Sequence, residues 1–534
     1  MKKNIFFTLL KNDCLNLFSL TKINKKKNKV TRKGAWGIIL FIVLMYLGLT
    51  YYSFMFTDMG LQAGVNELGL YFGVSMGTLM CLIFTFTNAH SVLFKSKDYD
   101  LLMSLPIEEY KIVSSKLVSI SLIGYLYFSF AYLPSLMFYL LLIDFNIIVL
   151  IFGLLVFLIN PMLVLSISSF ISLLFARLTS KMKNKNIVSS LLYLGFFALI
   201  LSFSLRLGFF NGSGEVKMYE FTLSMQEKMK NVYPLSNYCV GAIFGNIVDL
   251  LIVFAICVVP FIIFIVLSSK FYVRLNSLGS SGYKNKNFKL KDGKTTTPLG
   301  ALLKKEFKTF VSTPIYLANY MATPIFGCIS LIGMSILLST KVITINEVPL
   351  TGWMKSLLVL IVASFFFGLA PMTSVSINIE GKNFWLIKAL PVSEKEILFS
   401  KVFFSLLVNG SFMLVSLLAS IVILDVSVFE SLIILITPFV YLITFSFIGM
   451  LLNIKFYNLE WTNPTQAVKQ GAGLMLSMLI DMGISSQLLT IVIVSLFFEI
   501  DLSIVPLILG IVLLIIFGRL LFTKGVKGFS RISV

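Results

Sequence analysis

Two related stretches, KSKDYDLLMSLPIEEYKIVSSKL at residues 95–117 and EGKNFWLIKALPVSEKEILFSKV at residues 380–402, decide how this chain is organised. They align without a gap at a constant offset of 285 residues, which pairs Leu105-Pro106 with Leu390-Pro391. Self-similarity at a fixed offset indicates one structural unit that is used twice. We therefore expect two related halves, each built around one copy of this segment.

Long apolar stretches flank both copies. The 534 residues are 57% hydrophobic and 13% charged, with a mean hydropathy of +0.94, whereas soluble domains carry about 25% charged residues. Stretches of about 20 apolar residues are long enough to cross a bilayer as helices. The predicted spans are 35–57, 67–94, 117–143, 146–176, 187–207, 247–269, 320–340, 356–377, 402–424, 431–452, 470–497 and 503–522. The fold class predicted is an all-α polytopic membrane protein of about twelve transmembrane helices.

Each half is predicted to open with an amphipathic interfacial helix. A second alignment, at an offset of 293, pairs Leu10, Cys14, Leu17 and Phe18 with Leu303, Phe307, Phe310 and Val311. The spacing i, i+4, i+7, i+8 places each set on one helical face. Since each half contains an even number of spans, the two halves form parallel six-helix repeats.

These signals predict five regions. They are a basic segment with the first amphipathic helix (1–33), a transmembrane half (34–270), a basic linker with the second amphipathic helix (271–319), a second transmembrane half (320–522) and a tail (523–534). Residues 276–300 have the Gly, Ser, Thr and Lys content of a solvated linker. The first half also has a longer external segment, 208–246, than its counterpart.

The net charge of +20 is unevenly distributed. In the twelve-span prediction, 38 of the 44 Lys and Arg residues lie on one side of the membrane. This is the positive-inside pattern, so we expect a multi-pass protein of the cell membrane with both termini cytoplasmic and no nucleic-acid partner. The basic runs 25–27 and 284–294 serve orientation and solvation in this interpretation, with anionic lipid or partner binding as the alternative.

The repeated segment predicts a short helix, a turn fixed by Leu-Pro and a new helix. Pro106 and Pro391 suit the first position of that helix, and the acidic residues that follow complement its dipole. A short rigid helix made twice at one face can dock on a soluble partner and transmit its movement to the attached spans. The alternative is a simple interfacial turn.

At this point the chain resembles a known family. The pattern LL-x-S-LP-I followed by K-I-V-x-S-K, after an amphipathic helix, is similar to that of ABC-2 type exporter permeases of bacteria. The stretch LNIKFYNLEWTNPTQAVKQG at residues 452–471 resembles a twelve-helix subset of ABC exporter membrane subunits in Gram-positive bacteria. The first half departs from the pattern, because its equivalent loop is the short basic RLTSKMKNKN.

The resemblance implies coupling helices at 98–109 and 383–394 that dock on cytosolic ABC ATPase subunits, two per complex. One chain would supply both halves, with a homodimer as the alternative. The implied coupling residues are Asp98, Leu101, Leu105, Pro106, Ile107, Glu109, Asn383, Leu386, Leu390, Pro391, Val392 and Glu394. Candidate additional ATPase contacts are Trp461, Asn463, Pro464, Lys469 and Gln470. For Trp461, an aromatic anchor at the membrane boundary is an equally weighted alternative.

No sequence motif for catalysis within the chain was found. The only Gly-Lys-Thr, at 293–295, has Phe288 where a P-loop requires glycine, so ATP and Mg²⁺ are expected on the partner subunit and no cofactor on this chain. His90 is the single histidine, and the five cysteines are scattered, which disfavours a metal site. A membrane enzyme acting on lipid is disfavoured for the same reason. We expect a transport subunit and not an enzyme.

Asp481, predicted near the middle of the eleventh span, is a candidate translocation-path residue because a carboxylate is costly there. It also supports the rival hypothesis, an ion-coupled secondary transporter that uses Asp481. The exported substrate is expected to be hydrophobic or amphipathic, such as a peptide, lipid or drug.

Helix kinks are predicted at Pro134, Pro161, Pro260, Pro371 and Pro438.

The charge distribution makes the topology testable. We expect reporters fused at the N-terminus, near residue 285 and at the C-terminus to be cytoplasmic, because most basic residues fall on that side. The check is the accessibility of single cysteines at these sites to a membrane-impermeant reagent in intact cells. Labelling of a cysteine at 285 from outside would contradict the predicted topology.

Overall fold

The computed structural model of the chain is all-helical across the residues that it describes. These are residues 8–10, 29–94, 102, 104–180, 187–192, 195, 218–280, 297–339, 351–368, 371–461, 464–469 and 471–532. Within them, 11 helices are long and apolar enough to cross a membrane. The predicted fold class is therefore confirmed. Most of the predicted fifth span, 187–207, and most of the linker, 276–300, lie outside the described residues.

Contacts between Cα atoms divide the chain into two compact units. The main stretches of unit one are 42–192 and 199–286, and that of unit two is 287–534. Each unit has its own hydrophobic cores. Because lipid offers no hydrogen bonds to the backbone, each span satisfies its amides within its own helix.

The described residues up to 280 contain seven helices with defined bounds, besides the short helical stretches 8–10 and 187–192. The seven are α1 Lys29–Ala63, α2 Leu68–Phe94, α3 Glu109–Leu142, α4 Ile147–Ser180, α5 Met218–Val232, α6 Leu235–Ile243 and α7 Ile247–Ser280. Helix α2 packs against α3 and α4, and α4 packs against α7. The principal core of unit one includes Leu68, Tyr132, Val156, Cys239 and Val253.

The external segment predicted at 208–246 contains two helices, α5 and α6, where it is described. A buried polar network joins them to the bundle. The Asn160 amide donates to the Thr78 hydroxyl (2.9 Å), and its oxygen accepts a hydrogen bond from the Tyr233 hydroxyl (2.6 Å). Buried polar groups require such partners. Asn160 therefore fixes the connection between α5 and α6 against α4.

Ten further helices follow the linker in the part of the chain that the structure describes. They are α8 Pro298–Ser312, α9 Pro314–Ser339, α10 Gly352–Gly368, α11 Phe384–Lys388, α12 Glu394–Leu424, α13 Val428–Lys455, α14 Pro464–Lys469, α15 Ala472–Phe498, α16 Ile504–Leu520 and α17 Val526–Ser530. Short 3₁₀ turns cover Met372–Ser374 and Asn378–Asn383, and a π-helical turn covers Leu521–Gly525. Helix α13 is central, since it packs against α10, α12, α15 and α16.

The predicted span 356–377 is wrong at its end, because the α-helix stops at Gly368. Pro371 has no amide hydrogen, and it lies in extended backbone directly before the first 3₁₀ turn. The other four prolines predicted to produce kinks lie inside helices, as does Pro324. Gly449 of α13 lies so close to Pro371 that an added Cβ would be 2.8 Å from the ring. The irregular backbone at Pro371 is thus enclosed by protein.

The second amphipathic helix is α8, which the Thr297 side chain caps at Gly300. Its buried face contains Leu302, Glu306 and Phe310, whereas Phe307 is 59% exposed. The four residues of the predicted apolar stripe therefore do not share one environment within this unit. The neighbouring Glu306 is buried because it belongs to a cluster of ion pairs that is described below. Of the first amphipathic helix, only residues 8–10 are described, and they are helical.

Candidate functional site

The Leu-Pro segment forms the same turn in both units. In unit one the amide of Leu105 donates to the carbonyl of Leu102 (3.3 Å), and the amide of Ile107 donates to that of Leu105 (2.7 Å). In unit two the amide of Leu390 donates to the carbonyl of Ile387 and that of Val392 to Leu390, at 3.3 and 2.8 Å. We call these residues, 102–107 and 387–392, the LP turns.

The prolines lie inside these turns and do not begin the helices. The prediction that Pro106 and Pro391 occupy the first helical position is wrong, because α3 begins at Glu109 and α12 at Glu394. Ser393 is the N-cap of α12, and its capping hydrogen bond fixes the start of the helix after Ser393. A capped start three residues after proline leaves the proline free to fix the turn.

The two helix entrances are closed by different chemistry at aligned positions. In unit two the Ser393 amide donates to the Glu396 carboxylate (2.9 Å) and the Glu396 amide donates to the Ser393 hydroxyl (3.3 Å), which is a capping box. In unit one Glu108 stands at the Ser393 position and Lys111 at that of Glu396, and they form an ion pair of 2.5 Å. In both units, therefore, the residue directly before the helix is bonded to the residue three positions later.

Each LP turn presents a leucine outward and anchors the following helix inward. Leu105 and Leu390 are each 44% exposed, whereas Ile112 and Ile397, seven residues further along, are 1% and 3% exposed. An apolar side chain at a rigid turn, held above a buried anchor, is suited to enter a pocket on another surface.

Other predicted residues of this region have varied environments. Asn383, Leu386, Pro106 and Pro391 are exposed, Ile107 and Glu394 are half-buried, and Val392 packs against a hydrophobic core. Asp98, Leu101, Asn463 and Gln470 lie outside the described residues, and of Glu109 only the backbone is described.

A buried cluster of charges lies behind the LP turn of unit two. The ammonium of Lys401, with none of its side chain exposed, donates to the Glu306 carboxylate (2.8 Å), the Glu380 carboxylate (2.8 Å) and the Ser376 carbonyl (3.0 Å). Lys305 also pairs with both carboxylates. We call Lys305, Glu306, Glu380 and Lys401 the charge hub, in which two positive charges face two negative charges.

The two cations of the charge hub are not equivalent. The side chain of Lys305 is 32% exposed, whereas that of Lys401 is fully enclosed. Partial burial lowers the pKa of Lys305, and the charge of Lys401 lowers it further, while the carboxylates act in the opposite direction. Loss of Lys401 would therefore leave the two buried carboxylates with the partly exposed Lys305 as their remaining cation in the charge hub.

Trp461 packs onto the backbone that leads into the LP turn of its own unit. Its indole N–H donates to the Asn378 carbonyl (2.7 Å), and the Asn378 side chain accepts from the Asn458 amide (2.7 Å). Gly381 has a positive φ of 54°, and a Cβ there would be 2.9 Å from the indole nitrogen. Only glycine suits both the conformation and the close approach. Pro464 begins α14, and Lys469 ends it, half-buried.

Asp481 lies in α15, 1% exposed, and neither carboxyl oxygen has a hydrogen-bond partner among the described residues. Ser477 and Ser485, one turn before and after it, are buried on the same helical face.

The described part of the chain contains no group of three His, Cys, Asp or Glu side chains that could hold a metal ion.

The charge hub was not predicted from the sequence, although two signals for it are present there. Lys401 aligns with Lys116 at the offset of 285, and Lys116 is also buried, at 1% exposure. Glu306 aligns with Asp13 at the offset of 293, so an acidic residue recurs on both amphipathic helices. A charge retained in both copies of a repeat beside apolar spans indicates a structural partner.

Comparison with models of known protein families gives a match over most of the chain. Residues 15–522 match the model of a family described as a membrane protein of 12 TMs. That description states the number of transmembrane segments and no activity. No curated protein matches the chain.

The charge hub predicts a graded effect of charge removal. We expect Lys401→Met to destabilise unit two by about 3–5 kcal/mol, because it leaves two buried carboxylates facing one remaining cation. Lys305→Met should cost less, because Lys305 is partly exposed. The measurement is the thermal unfolding midpoint of the purified protein in detergent.

The matched control is Lys395→Met, since Lys395 is on the same helix as Lys401 but exposed. It should leave the midpoint unchanged. Equal midpoints for the Lys401 and Lys395 variants would show that the hub does not stabilise the fold.

Proposed function

The chain belongs to this family of membrane proteins with twelve transmembrane segments, and we propose that it is the permease subunit of an ATP-driven ABC exporter. In this proposal the ATPase is a separate cytosolic protein, present as two subunits, and ATP and Mg²⁺ bind there. The membrane is the cell membrane of a Gram-positive bacterium, and both termini are cytoplasmic. The resemblance of both LP segments to ABC-2 type permeases supports this assignment.

The observation that carries the proposal is the duplicated LP turn. Two turns with the same hydrogen bonds each hold a leucine that is 44% exposed. In unit two, Trp385 and Leu386 extend the apolar surface beside Leu390, at 55% and 49% exposure. A polar loop would be the ordinary solution at an aqueous boundary. Apolar side chains kept at one place in both copies favour a protein partner.

The connection from the LP turn into the membrane supports a mechanical role. In unit two the turn leads directly into α12, which continues for 31 residues. The charge hub fixes α12 to α8 and to the 3₁₀ turn Asn378–Asn383. In the proposed mechanism, closure of the ATPase subunits on ATP displaces the LP turns, and these elements tilt together. This movement alternates access to a path through the membrane domain.

The substrate is proposed to be hydrophobic or amphipathic: a peptide, a lipid or a drug. One chain supplies both halves in this proposal, and a homodimer is the alternative arrangement. The chain has no expected catalytic role of its own. Trp461 contributes to the docking surface through the backbone that it positions, since its indole N–H is already bonded to Asn378.

The proposal is tested by charge insertion at the turns. We expect Leu105→Asp and Leu390→Asp each to weaken ATPase binding by at least about 100-fold, because an unpaired charge would enter an apolar pocket. Both side chains are exposed in the isolated chain, so folding should be retained. The measurement is co-purification of a protein with a P-loop, identified by mass spectrometry, together with ATP turnover of the complex.

Val428→Asp is the matched control, because Val428 is an exposed apolar residue (80%) at the other end of α12, where α13 begins. This variant should retain the ATPase. If both leucine variants bind and stimulate the ATPase as the control does, the LP turns are simple turns and the exporter assignment fails.

A second candidate function is supported by Asp481. Its carboxyl group is buried without a described partner, and an ionised carboxylate in such a place is unfavourable. An ion-coupled secondary transporter would use this group to take up a proton in one state and release it in another.

The two functions are separated by energy source and by the chemistry of Asp481. If Asp481 carries a coupling proton, the hydrophobic reagent dicyclohexylcarbodiimide should modify it, and Asp481→Asn should abolish that modification. Transport of a fluorescent amphiphile in inverted vesicles should then follow the pH gradient. Transport that requires ATP and survives in Asp481→Asn would exclude this candidate.

A further inference from the structure

The end of the last membrane helix is joined to the LP segment of unit two through Lys388. The Lys388 ammonium donates to the carbonyls of Phe529 (2.8 Å) and Ser530 (2.9 Å). It also lies 5.0 Å from the centre of the Phe529 ring. These carbonyls lie at the end of α17, where that of Phe529 also accepts a hydrogen bond from the Ile532 amide (3.2 Å), and a cation there complements the helix dipole. Lys388 therefore caps α17 from another part of the chain.

Apolar packing accompanies this cap. Phe529 and Phe384 are both fully buried, and their rings meet edge to face at 5.4 Å. Leu521, Ile532 and Ile387 belong to the same hydrophobic core. The inner face of α11 is thus covered by residues 521–532, while its outer face carries the exposed Trp385 and Leu386 described above.

The chain approaches this position through an irregular turn. Between α16 and α17 the backbone widens into the π-helical turn Leu521–Gly525, which shifts the register of the side chains that follow. At Gly528 an added Cβ would be 2.9 Å from the side chain of Ile454 at the end of α13. Helix α17 is therefore held closely against α13 on one side and the LP segment on the other.

Lys388 connects a third element. Its ammonium lies 3.7 Å from the carboxylate of Glu394, in the first turn of α12. The position aligned with Lys388 in the first half is Met103, which has no group that can donate to carbonyls in this way. The lysine cap is thus a property of the second LP segment that the repeat does not reproduce.

We propose that Lys388 is a positioning residue that ties the second LP turn to the last membrane span, so that displacement of this turn moves α16 as well as α12. This inference rests on the exporter function proposed above. In this proposal, residues 526–532 support α11, which carries the exposed apolar residues that dock on the ATPase. It also makes the two halves mechanically unequal, because the first turn carries Met103 at the position of this lysine.

The contact itself is tested without any partner. In Lys388→Met, amide hydrogen exchange of residues 526–532 in the purified full chain should become at least about tenfold faster, because the cap is lost. Lys388→Arg keeps the charge and the donors and should retain slow exchange. The control is Lys382→Met, an exposed lysine of the same segment. Unchanged exchange in Lys388→Met overturns the cap.

The functional part is tested in complex with the co-purified ATPase. Lys388→Met should keep ATPase binding within about twofold of the wild type, since the exposed leucine is intact, while ATP turnover by the complex falls several-fold. Lys388→Arg should restore turnover. Faster exchange together with normal turnover overturns the positioning role. Failure of the exporter proposal itself would be recognised separately, because Leu390→Asp would then keep its ATPase.

Discussion

The enclosed ammonium of Lys401 is the interaction on which the organisation of unit two depends. Its three N–H donors have three acceptors, two of them carboxylates, and none of its side chain is exposed. A buried charge is tolerated only with such complete compensation. The acceptors come from α8 and from the backbone that enters the LP segment, while Lys401 itself is on the helix that leaves it. Separation of any of these elements would leave a charge uncompensated in an apolar surrounding, so the charge hub opposes their separation.

The repeat and the hydropathy were sufficient to predict the fold class, the LP segments and most spans. They depend on local pattern, which the sequence displays directly. The start of α12 was misplaced because proline and serine both favour a helix entrance, and only the reciprocal bonds of Ser393 and Glu396 decide between them. The break after Gly368 was missed because the apolar composition continues through it.

The charge hub was harder to predict because its members are far apart in sequence. Glu306 and Lys401 are 95 residues apart, and Glu380 precedes Lys401 by 21. Each looks like an ordinary boundary residue when only its neighbours are considered, and Phe307 looks like a better candidate for burial than Glu306. Trp461 shows the same difficulty. Its two predicted roles were a membrane anchor and an ATPase contact, and neither includes its hydrogen bond to the Asn378 carbonyl. Such long-range pairs require the tertiary structure.

The different closures of the two helix entrances give the halves different responses to ionic strength. The pair of Glu108 and Lys111 is exposed, at 60% and 33% of the side chains, so molar salt, which shortens the Debye length to about 3 Å, weakens it. The capping box of Ser393 and Glu396 relies on short hydrogen bonds to backbone amides, which screening affects far less. Concentrated salt therefore loosens the entrance of α3 while leaving that of α12 intact. The chain thus combines one helix entrance that responds to the salt concentration of its surroundings with one that is insensitive to it.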